Sequence, residues 1–470
     1  MRNEETDMKS QAQLSDKDKQ FRDFSLHDNM WRVVLYVGFP LALYQSLTQL
    51  FKIFDSMMAA HISATAVSTV AYLSQINLML SALGGGLAVG ASIKISEAYG
   101  SGDFQLVKKR VSTLFAMCAI LGLTLLVVLV PFTPQFLRLA KTPEEFIAGG
   151  TQYFILELFG MVISFFNNVY IAIERARGNS KRILNLNMVV IGLKLALTAL
   201  FVYILNCGIN MISVATIISQ TFLLAAAFKN LNQKDNAFGF SLSSISMKAD
   251  VTRPMITLSI PVIIEKVAFS FGKVIVNSMS TIYTPLTVGA LGISNNIGGF
   301  TTMPQNGFQE GGSAIISQNL GAGEPKRALK AFQCVLVINT VIGFFFMTLS
   351  LVFIRQISWL FAGSDEEFLQ MIVSIYRYEA LGAVPLGINA AVLSLLYGFG
   401  KTRLTLVINF MRVFLFRIPV LWFLQNFTVL GSISVGIVMG ISNILTGAAS
   451  ILIGIWEIRK ICKEYHITFF

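Results

Sequence analysis

The chain of 470 residues is 54% hydrophobic and 13% charged, with a mean hydropathy of +0.67. Because soluble domains carry about 25% charged residues, this composition excludes an ordinary soluble protein and predicts a protein embedded in a lipid bilayer. The net charge of +11 does not indicate a nucleic-acid partner, since basic residues of membrane proteins collect in cytoplasmic loops and no nucleic-acid-binding module is visible. The four cysteines and three histidines are too scattered to predict a disulfide framework, a metal site or a cofactor.

The N-terminal segment, residues 1–28, is polar and carries charges of both signs. It lacks the apolar stretch of a signal peptide, and its composition is typical of a segment without fixed structure. We therefore expect a cytoplasmic tail here.

Twelve apolar stretches follow, each long enough to cross a bilayer as a helix. In the first half they cover residues 31–59, 66–98, 103–132, 146–176, 182–206 and 210–230. In the second half they cover residues 254–280, 286–319, 326–353, 366–399, 403–425 and 432–458. The polar residues 231–253 are the predicted cytoplasmic linker, and 459–470 a second cytoplasmic tail. The predicted fold is therefore an all-α polytopic membrane protein, with an N-lobe over 29–230 and a C-lobe over 254–458.

The two halves repeat one another at a nearly constant spacing. The segment GASIKIS at 90–96 returns as GGSAIIS at 311–317, and each copy is followed by two further glycines. The same register pairs Pro40 with Pro261, Asn167 with Asn389, Gly178 with Gly400, and Asn187 with Asn409. Many secondary transporters consist of two such copies, with the substrate site where the halves meet.

Lysine and arginine predict the orientation of the chain in the membrane. Alternate loops are rich in both residues, whereas the other loops hold little beyond Arg138, Lys141 and Arg355. Basic loops face the cytoplasm, so both termini are expected there. Because six is an even number, both halves insert the same way up, as parallel repeats related by an axis along the membrane normal.

A series of short motifs resembles one transporter family. The motifs are Pro40 followed by Phe54-Asp55-Ser56, Gly100-Ser101-Gly102-Asp103, Arg175-Ala176-Arg177-Gly178-Asn179-Ser180-Lys181, Ile316-Ser317-Gln318-Asn319-Leu320-Gly321-Ala322-Gly323 and Gly400-Lys401-Thr402-Arg403. Over residues 30–460 this ordered series is similar to the multidrug and toxic compound extrusion (MATE) transporters.

The resemblance implies two six-helix lobes around a central cleft and export of organic molecules against an inward flow of H⁺ or Na⁺. It also implies alternating access in a monomer in the plasma (inner) membrane of a bacterium. Six glycines of the loop motifs are then structural: Gly100, Gly102, Gly178, Gly321, Gly323 and Gly400.

Two other functions are disfavoured by the residues themselves. Gly400-Lys401-Thr402 has the end of a phosphate-binding loop, but Leu395 stands where that motif needs its first glycine. We therefore predict no nucleotide partner. A membrane-embedded enzyme is not expected either, because no nucleophile, base and metal cluster is visible.

Asp55 on the first predicted helix is the leading candidate for cation coupling. An ionisable side chain at membrane depth is costly and usually functional, and a carboxylate can either coordinate Na⁺ or take up a proton. Lys52 lies one turn earlier on the same face, so an ion pair that only fixes the helix remains an alternative. The resemblance favours the functional role, since an Asp at this place is typical of cation-coupled members.

The fifth predicted helix departs from the family pattern. There the resemblance implies Gly-Leu-Asn with Asp four residues later, whereas this chain has Gly192-Leu193-Lys194 and Thr198. The ammonium group of Lys194 could pair with Asp55 and disfavours a Na⁺ site. Asn167 and Asn168 on the fourth predicted helix are polar neighbours of this site, or hydrogen bonds between helices.

Glu265 on the seventh predicted helix is the second candidate. The resemblance implies a partner acid on the tenth helix, near Asn389, which is uncharged here. Lys273 corresponds to Lys52 in the repeat. A metal ion, Na⁺, is expected at Asp55 or Glu265 only if Na⁺ is the coupling ion, and the lysines together with Asn389 favour H⁺.

Positive charges at membrane depth keep a second function open. Lys194, Lys273, Arg412 and Arg417 either reach the membrane surface with their long side chains or line the interior. In the second case they suit a flippase of lipid-linked oligosaccharides from the same superfamily, since arginine and lysine bind pyrophosphate. The glycine motifs favour the exporter of small organic molecules.

Overall fold

The protein is described here by a computed structural model. It describes residues 13–60, 64–140, 142, 144–232, 236–363 and 365–468; the side chains of 52–60, 64–72, 75, 145 and 285 are not described. Within these ranges the chain is an all-α polytopic membrane protein, and its β-pairing is limited to one isolated bridge between Gln13 and Asn236.

The first half begins with a helix before the first span and continues with seven more. The helices are α1 (Asp16–His27), α2 (Met30–Ala60), α3 (Ala64–Ser101), α4 (Phe104–Leu129), α5 (Thr133–Leu139), α6 (Glu144–Ala176), α7 (Ser180–Ala199) and α8 (Asn210–Leu231). A π-helical turn, Leu200–Ile204, extends α7.

The second half repeats this order with more interruptions. Its helices are α9 (Ala249–Ser280), α10 (Pro285–Gly321), α11 (Pro325–Val352), α12 (Ile354–Ala362), α13 (Glu366–Ala380), α14 (Ala383–Gly398), α15 (Thr402–Phe410), α16 (Ile418–Phe427) and α17 (Ile433–Glu464). A π-helical segment, Met411–Leu415, joins α15 to α16.

Twelve spans were expected, and the helices agree closely with that number. Ten helices of the described residues are long and apolar enough to cross a membrane, and α13 with α14, bent by 47°, makes an eleventh span. The remaining predicted span is α10, which has 37 residues; its many Asn and Gln residues lower its hydropathy. Sequence periodicity did not predict that the tenth and eleventh spans are interrupted.

The described chain divides into two compact units. The first unit contains the residues up to His27, then Phe51–Val267 and Gly321–Gly323. The second unit contains Asp28–Leu50, Ala268–Leu320 and the chain from Glu324 onward. The beginning of α2 therefore groups with helices of the second repeat, and the beginning of α9 with helices of the first.

Small residues allow these exchanged segments to pack closely inside each unit. In the first unit, a Cβ added to Gly90 would lie 2.4 Å from the Cα of Ser259 on α9. In the second unit, a Cβ added to Gly307 would lie 2.4 Å from the Cα of Ala42 on α2. Glycine at such crossings allows the backbones of two membrane helices to contact one another. Gly307 has a counterpart in the first repeat, Gly86.

The expectation of an unstructured N-terminal tail is wrong for α1, which packs against the first unit. Asp18 is 2% exposed and receives two bonds from Arg177, Nε to Oδ1 at 2.5 Å and Nη2 to Oδ2 at 3.0 Å. Tyr99 donates its hydroxyl to the Asp18 carbonyl at 2.5 Å. Polar composition misled the prediction, because these charges stabilise a buried contact instead of facing solvent.

This contact lowers the pKa of the Asp18 carboxyl. Burial alone would raise the pKa of Asp18, but the hydrogen bond and charge of Arg177, with hydrogen bonds from Ser15 and Asn236, outweigh it. The pKa of Asp18 is therefore held below its ordinary value of 3.8. The contact includes Glu174, which is fully buried and accepts from Arg177 Nη1 at 3.4 Å and from Arg182 Nη1 at 3.3 Å.

Candidate functional site

The two leading carboxylates differ in how the structure describes them. Asp55 and Lys52 lie on α2, but their side chains are outside the described residues. Glu265 lies on α9 in the first unit and is 7% exposed. Asn389, at the place of its expected partner acid, belongs to the second unit, where its Oδ1 accepts from Ser450 Oγ at 2.8 Å.

The residues expected near Asp55 lie on α6 and α7 of the first unit. Asn167 on α6 donates to the backbone oxygen of Gln220 at 2.9 Å and to its Oε1 at 2.7 Å, so it joins α6 to α8. Asn168 and Lys194 are half-buried. Thr198 is fully buried, and its hydroxyl has no hydrogen-bond partner among the described residues.

The glycines of the loop motifs occupy turns after long helices. Positive φ angles occur at Gly102 (83°), Gly178 (83°), Gly323 (77°) and Gly400 (68°), a conformation that glycine adopts without steric cost. Gly100 lies at the end of α3, where its carbonyl accepts from Arg22 Nη2 at 2.7 Å, and Gly321 is the last residue of α10. These glycines shape loops and offer no group for substrate chemistry.

Sequence reasoning missed a carboxylate on α6. Glu157 accepts from Asn77 Nδ2 at 2.8 Å and from Ser213 Oγ at 2.7 Å, which brings together α3, α6 and α8. Glu157 is half-buried and Ser213 is fully buried. A charged residue within a predicted span was a visible signal, and its repeat partner strengthens that signal.

That repeat partner is Glu379 at the end of α13. The register that pairs Asn167 with Asn389 also pairs Glu157 with Glu379, and the glycine three residues later is present in both copies. Glu379 is half-buried and accepts a short hydrogen bond from the fully buried Ser294 on α10. Both repeats therefore hold a hydrogen-bonded carboxylate at the same position.

Positively charged side chains lie near Glu379. Among the described residues, neither Arg412 nor Arg417 forms a direct ion pair with it. Arg412 lies in the π-helical segment and Arg417 immediately before α16. The charges of Arg417, Arg412 and Lys273 all act on the Glu379 carboxylate. We call Lys273, Glu379, Arg412, Arg417 and Asn443 the second-unit cluster.

The two arginines of this cluster converge on one amide. Arg412 Nη2 donates to Asn443 Oδ1 at 3.0 Å, and Arg417 Nη2 donates to the same oxygen at 3.2 Å. Arg417, 2% exposed, also donates from Nε to Ser442 Oγ at 3.1 Å. The ring of Phe269 lies 5.2 Å from the Arg412 guanidinium carbon and 5.0 Å from Lys273 Nζ, within reach of a cation–π attraction.

The described residues do not form a site for a transition metal. No group of three His, Cys, Asp or Glu side chains that could hold a metal ion occurs among them. Among the described residues, the carboxylates of Glu157, Glu265 and Glu379 lie on long apolar helices and, with neighbouring amides and hydroxyls, offer oxygen atoms that could contact a cation.

Comparison with known proteins identifies the fold and the relatives. The MatE family model matches residues 40–200 and 261–423, one stretch in each repeat. "Probable multidrug resistance protein YoeA" of Bacillus subtilis is 24% identical over 413 residues, covering 85% of this chain and 88% of the relative. "Multidrug export protein MepA" of Staphylococcus haemolyticus is 21% identical over 394 residues, covering 82% and 85%.

Solved structures share the fold along almost the whole chain. One, described as "Crystal structure of MATE in complex with MaL6", has a TM-score of 0.89 at 19% identity and covers 94% of this chain and 99% of its own. A second is a transporter of the MOP superfamily from Pyrococcus furiosus, described by a "reverse polarity of binding pocket". It has a TM-score of 0.88 at 18% identity, with coverage of 96% and 99%.

Proposed function

Because the chain belongs to the MatE family, whose members are transporters rather than enzymes, we propose that it is a secondary active antiporter that exports drugs or other organic molecules. The observation that carries this proposal is the family match in both repeats. Relatives named as multidrug resistance and export proteins, aligned over more than four-fifths of the chain, support the same function. The driving force is the inward flow of a cation through alternating access of the two lobes around a central cleft.

The proposed site of coupling is a carboxylate at membrane depth, with Asp55 first and Glu265 second. A proton needs only a carboxyl whose pKa differs between two conformations. Na⁺ needs several oxygen ligands and no ammonium group nearby. Lys194, which we expect near the first site, and the uncharged Asn389 both disfavour Na⁺, so we propose H⁺ as the coupling ion.

The proposed setting is the plasma membrane of a bacterium. The relatives named above come from bacteria, and the basic loops support a topology with both termini in the cytoplasm. The transport unit is a monomer, because each chain contains both repeats.

Transport into proteoliposomes tests the proposal directly. Vesicles holding only a pH gradient should drive movement of a cationic dye, whereas vesicles holding only a Na⁺ gradient should not. Transport driven by Na⁺ alone would replace H⁺ as the coupling ion. Failure of every gradient to move any dye would contradict the exporter itself.

Two neutral substitutions separate the candidate carboxylates. Asp55→Asn should fold and bind dye but lose gradient-driven transport, since an amide cannot change charge during the cycle. Glu265→Gln should reduce transport less. Normal transport by Asp55→Asn together with loss in Glu265→Gln would move the coupling site to Glu265. Lys194→Asn should shift the pH dependence of transport, because it removes an ammonium group from the vicinity of the proposed site.

A further inference from the structure

A cavity of about 740 Å³ lies in the second unit, between the end of α11, the short helix α12 and the start of α13. Most of the side chains that line it are apolar, and they include Leu349, Phe353, Ile357, Leu360 and Leu369. Protein cavities that hold small molecules measure about 300–1,000 Å³. The volume and the lining therefore suit a ligand with a large apolar part.

The cavity continues an exposed apolar face of α11. Val341, Phe345, Leu349 and Val352 are all exposed, and their spacing of three or four residues places them on one face of the helix. An exposed apolar patch on a membrane-spanning helix indicates contact with lipid chains. Because Leu349 belongs both to this face and to the wall of the cavity, a lipid chain that lies along α11 can enter the cavity.

The exposed side chains of α12 are typical of a helix at the membrane surface. Its first turn carries Arg355 and Gln356, and one turn later the same faces carry Trp359 and Leu360. All four line the cavity and are exposed, Trp359 to 59%. Tryptophan close to a charged side chain is typical of the boundary between lipid headgroups and hydrocarbon. Phospholipids are the molecules that present apolar chains and a charged head together at this boundary.

Two opposite charges lie at the rim of the cavity. Arg355 and Glu366 both line it, and Arg355 Nη2 donates to Glu366 Oε1 at 2.9 Å. Their side chains are 68% and 61% exposed, so this ion pair contributes little to stability, and each group can turn to another partner. Gln370 Nε2 donates to the same Oε1 at 2.8 Å, which leaves Glu366 Oε2 without a hydrogen bond among the described residues.

The balance of charge at this rim distinguishes between lipid headgroups. Asp365, Glu366 and Glu367 follow one another at the start of α13, whereas Arg355 is the one basic residue that lines the cavity. The three carboxylates repel a headgroup with a net negative charge. A zwitterionic headgroup matches both signs, because its phosphate accepts from the guanidinium and its ammonium group donates to a carboxylate. A primary ammonium group has N–H donors for this purpose, and a quaternary one has none.

An ion pair that only joins α12 to α13 explains part of this arrangement. The first repeat has such a pair, since Arg138 on α5 donates from Nε to Glu144 Oε1 at 3.0 Å. The repeat register pairs Glu144 with Glu366, so an exposed pair at this place is common to both repeats. A structural pair does not explain the apolar cavity beside it, or the exposed Trp359 in the wall of that cavity.

We propose that this cavity binds a phospholipid with a primary ammonium headgroup, such as phosphatidylethanolamine. An acyl chain fills the cavity between α11 and α12, the phosphate binds Arg355, and the ammonium group binds Glu366. The lipid is a partner of the protein in the membrane and not its exported molecule. The inference therefore goes beyond the proposed function and does not depend on it.

Quenching of tryptophan fluorescence by lipids with brominated acyl chains tests the site at one position. The chain has four tryptophans; Trp31, Trp422 and Trp456 are exposed, so phenylalanine replaces these three and leaves Trp359 as the reporter. Brominated phosphatidylethanolamine, phosphatidylcholine or phosphatidylglycerol is titrated into the full-length protein in an uncharged detergent. Phosphatidylethanolamine should bind roughly 2- to 5-fold more tightly than either other lipid, since an exposed charge pair contributes about 0.2–1 kcal/mol. Equal affinities of the three lipids would indicate unselective lipid contact and overturn the site.

Two substitutions at the rim separate the two headgroup contacts. Glu366→Gln should abolish the preference for phosphatidylethanolamine over phosphatidylcholine, because the preference depends on a carboxylate that accepts from the ammonium group. Arg355→Gln should weaken both lipids by a similar factor and keep the preference, because both lipids have the phosphate. A preference that survives Glu366→Gln, or an affinity for both lipids that is unchanged in Arg355→Gln, would contradict the assigned contacts.

The first repeat supplies the matched controls. Glu144→Gln and Arg138→Gln break the corresponding exposed ion pair and remove the same charges, and neither residue lines the cavity. Both should leave the affinities and the preference at Trp359 unchanged. The same loss of preference in Glu144→Gln as in Glu366→Gln would reduce the effect to net charge and overturn the site.

A second reporter tests whether the preference belongs to this place on the protein. A variant that keeps only Trp422, exposed on α16, should be quenched equally by all three lipids. The same preference at Trp422 as at Trp359 would show a property of the whole lipid-facing surface and overturn the cavity as the site. Dye transport is measured separately, so loss of the lipid site leaves the exporter untouched.

Discussion

Three matched positions of the repeat form different hydrogen bonds in the two units. In the first unit Asn77, Glu157 and Ser213 form one hydrogen-bonded group. The corresponding residues of the second unit are Gly298, Glu379 and Ser434. Ser434 has a buried hydroxyl without a partner among the described residues, and glycine has no side chain to donate. The repeat therefore preserves the carboxylate and changes what surrounds it.

The difference places matched carboxylates in two different surroundings. A Cβ at Gly298 would lie 3.2 Å from Glu379 Oε1, so the glycine leaves room beside the carboxylate where the first unit places an asparagine. Two arginines and a lysine act on Glu379 instead. The two carboxylates therefore differ in their partners: Asn77 and Ser213 donate to Glu157, whereas positive charges act on Glu379.

The largest expected effect on the stability of the protein comes from neutralising the matched carboxylates, Glu379 and Glu157. Glu379→Gln removes the carboxylate on which the charges of Arg412 and Arg417 act, and the loss of this buried counter-charge should destabilise the protein by about 3–5 kcal/mol. Glu157→Gln should cost about 1 kcal/mol, since Asn77 can still donate to the amide oxygen and the Ser213 hydroxyl can turn to accept from the amide NH2. Apparent melting temperatures measured at one heating rate compare the two variants.

A second substitution makes this test specific. Adding Arg412→Gln to Glu379→Gln should recover much of the lost stability, because one excess charge is removed. If the double variant is less stable than Glu379→Gln, the charge imbalance does not explain the cost.

The next largest effect on stability concerns ion pairs in corresponding loops of the two repeats. Arg177→Gln leaves Asp18 buried without its cation and leaves Glu174 paired with Arg182 alone, so about 3 kcal/mol of stability should be lost. Lys401→Gln, in the corresponding loop of the second repeat, breaks one 3.5 Å ion pair with Glu457 in which the lysine is partly exposed. Glu457 is only 1% exposed and loses its cation, but Lys401 is partly exposed and makes a single long contact, so the cost should be smaller than for Arg177→Gln. Equal melting temperatures for the two variants would contradict the buried network.

The contact between Asp18 of α1 and Arg177 should make the stability of the protein depend on pH, with a smaller effect whose direction is known. The pKa of Asp18 is lowered in the folded protein, so its ionised form contributes stability that is present above the ordinary pKa of 3.8. That contribution is lost as pH falls through the lowered value. The stability advantage of wild type over Asp18→Asn should thus be full near neutral pH and shrink only in strong acid. An advantage that disappears between neutral pH and the ordinary pKa would contradict the contact.

The smallest effects concern the loop glycines. Gly102 and Gly323 have equivalent positive φ angles, and a Cβ at either would meet no close contact. Alanine at each should cost the same, about 1–2 kcal/mol of backbone strain. Gly178→Ala should cost more, because its Cβ would lie 2.2 Å from the Phe21 ring of α1. A cost for Gly178→Ala equal to that for Gly102→Ala would show that α1 does not pack there in solution.

The sequence alone shows the candidate carboxylates, but not the residues that form hydrogen bonds with them. Asp55 and Glu265 were identifiable as ionisable residues within apolar stretches, and their roles stay predictions. Glu157 and Glu379 carried the same signal but were overlooked, although the register of Asn167 and Asn389 pairs them. No local sequence pattern predicts the hydrogen-bond donor to either carboxylate, because Asn77 is 80 residues from Glu157 and Ser294 is 85 residues from Glu379.

The sequence by itself determined the helical class, the duplication and the family, because span length, the repeat register and short loop motifs are properties of neighbouring residues. Only the tertiary structure decided that α1 packs on the first unit, that the tenth and eleventh spans are interrupted, and that Arg412 and Arg417 meet at Asn443. Each of these depends on side chains from distant segments that satisfy one another's charges and hydrogen bonds. Such pairing is set by how the helices pack and not by the composition of any one of them.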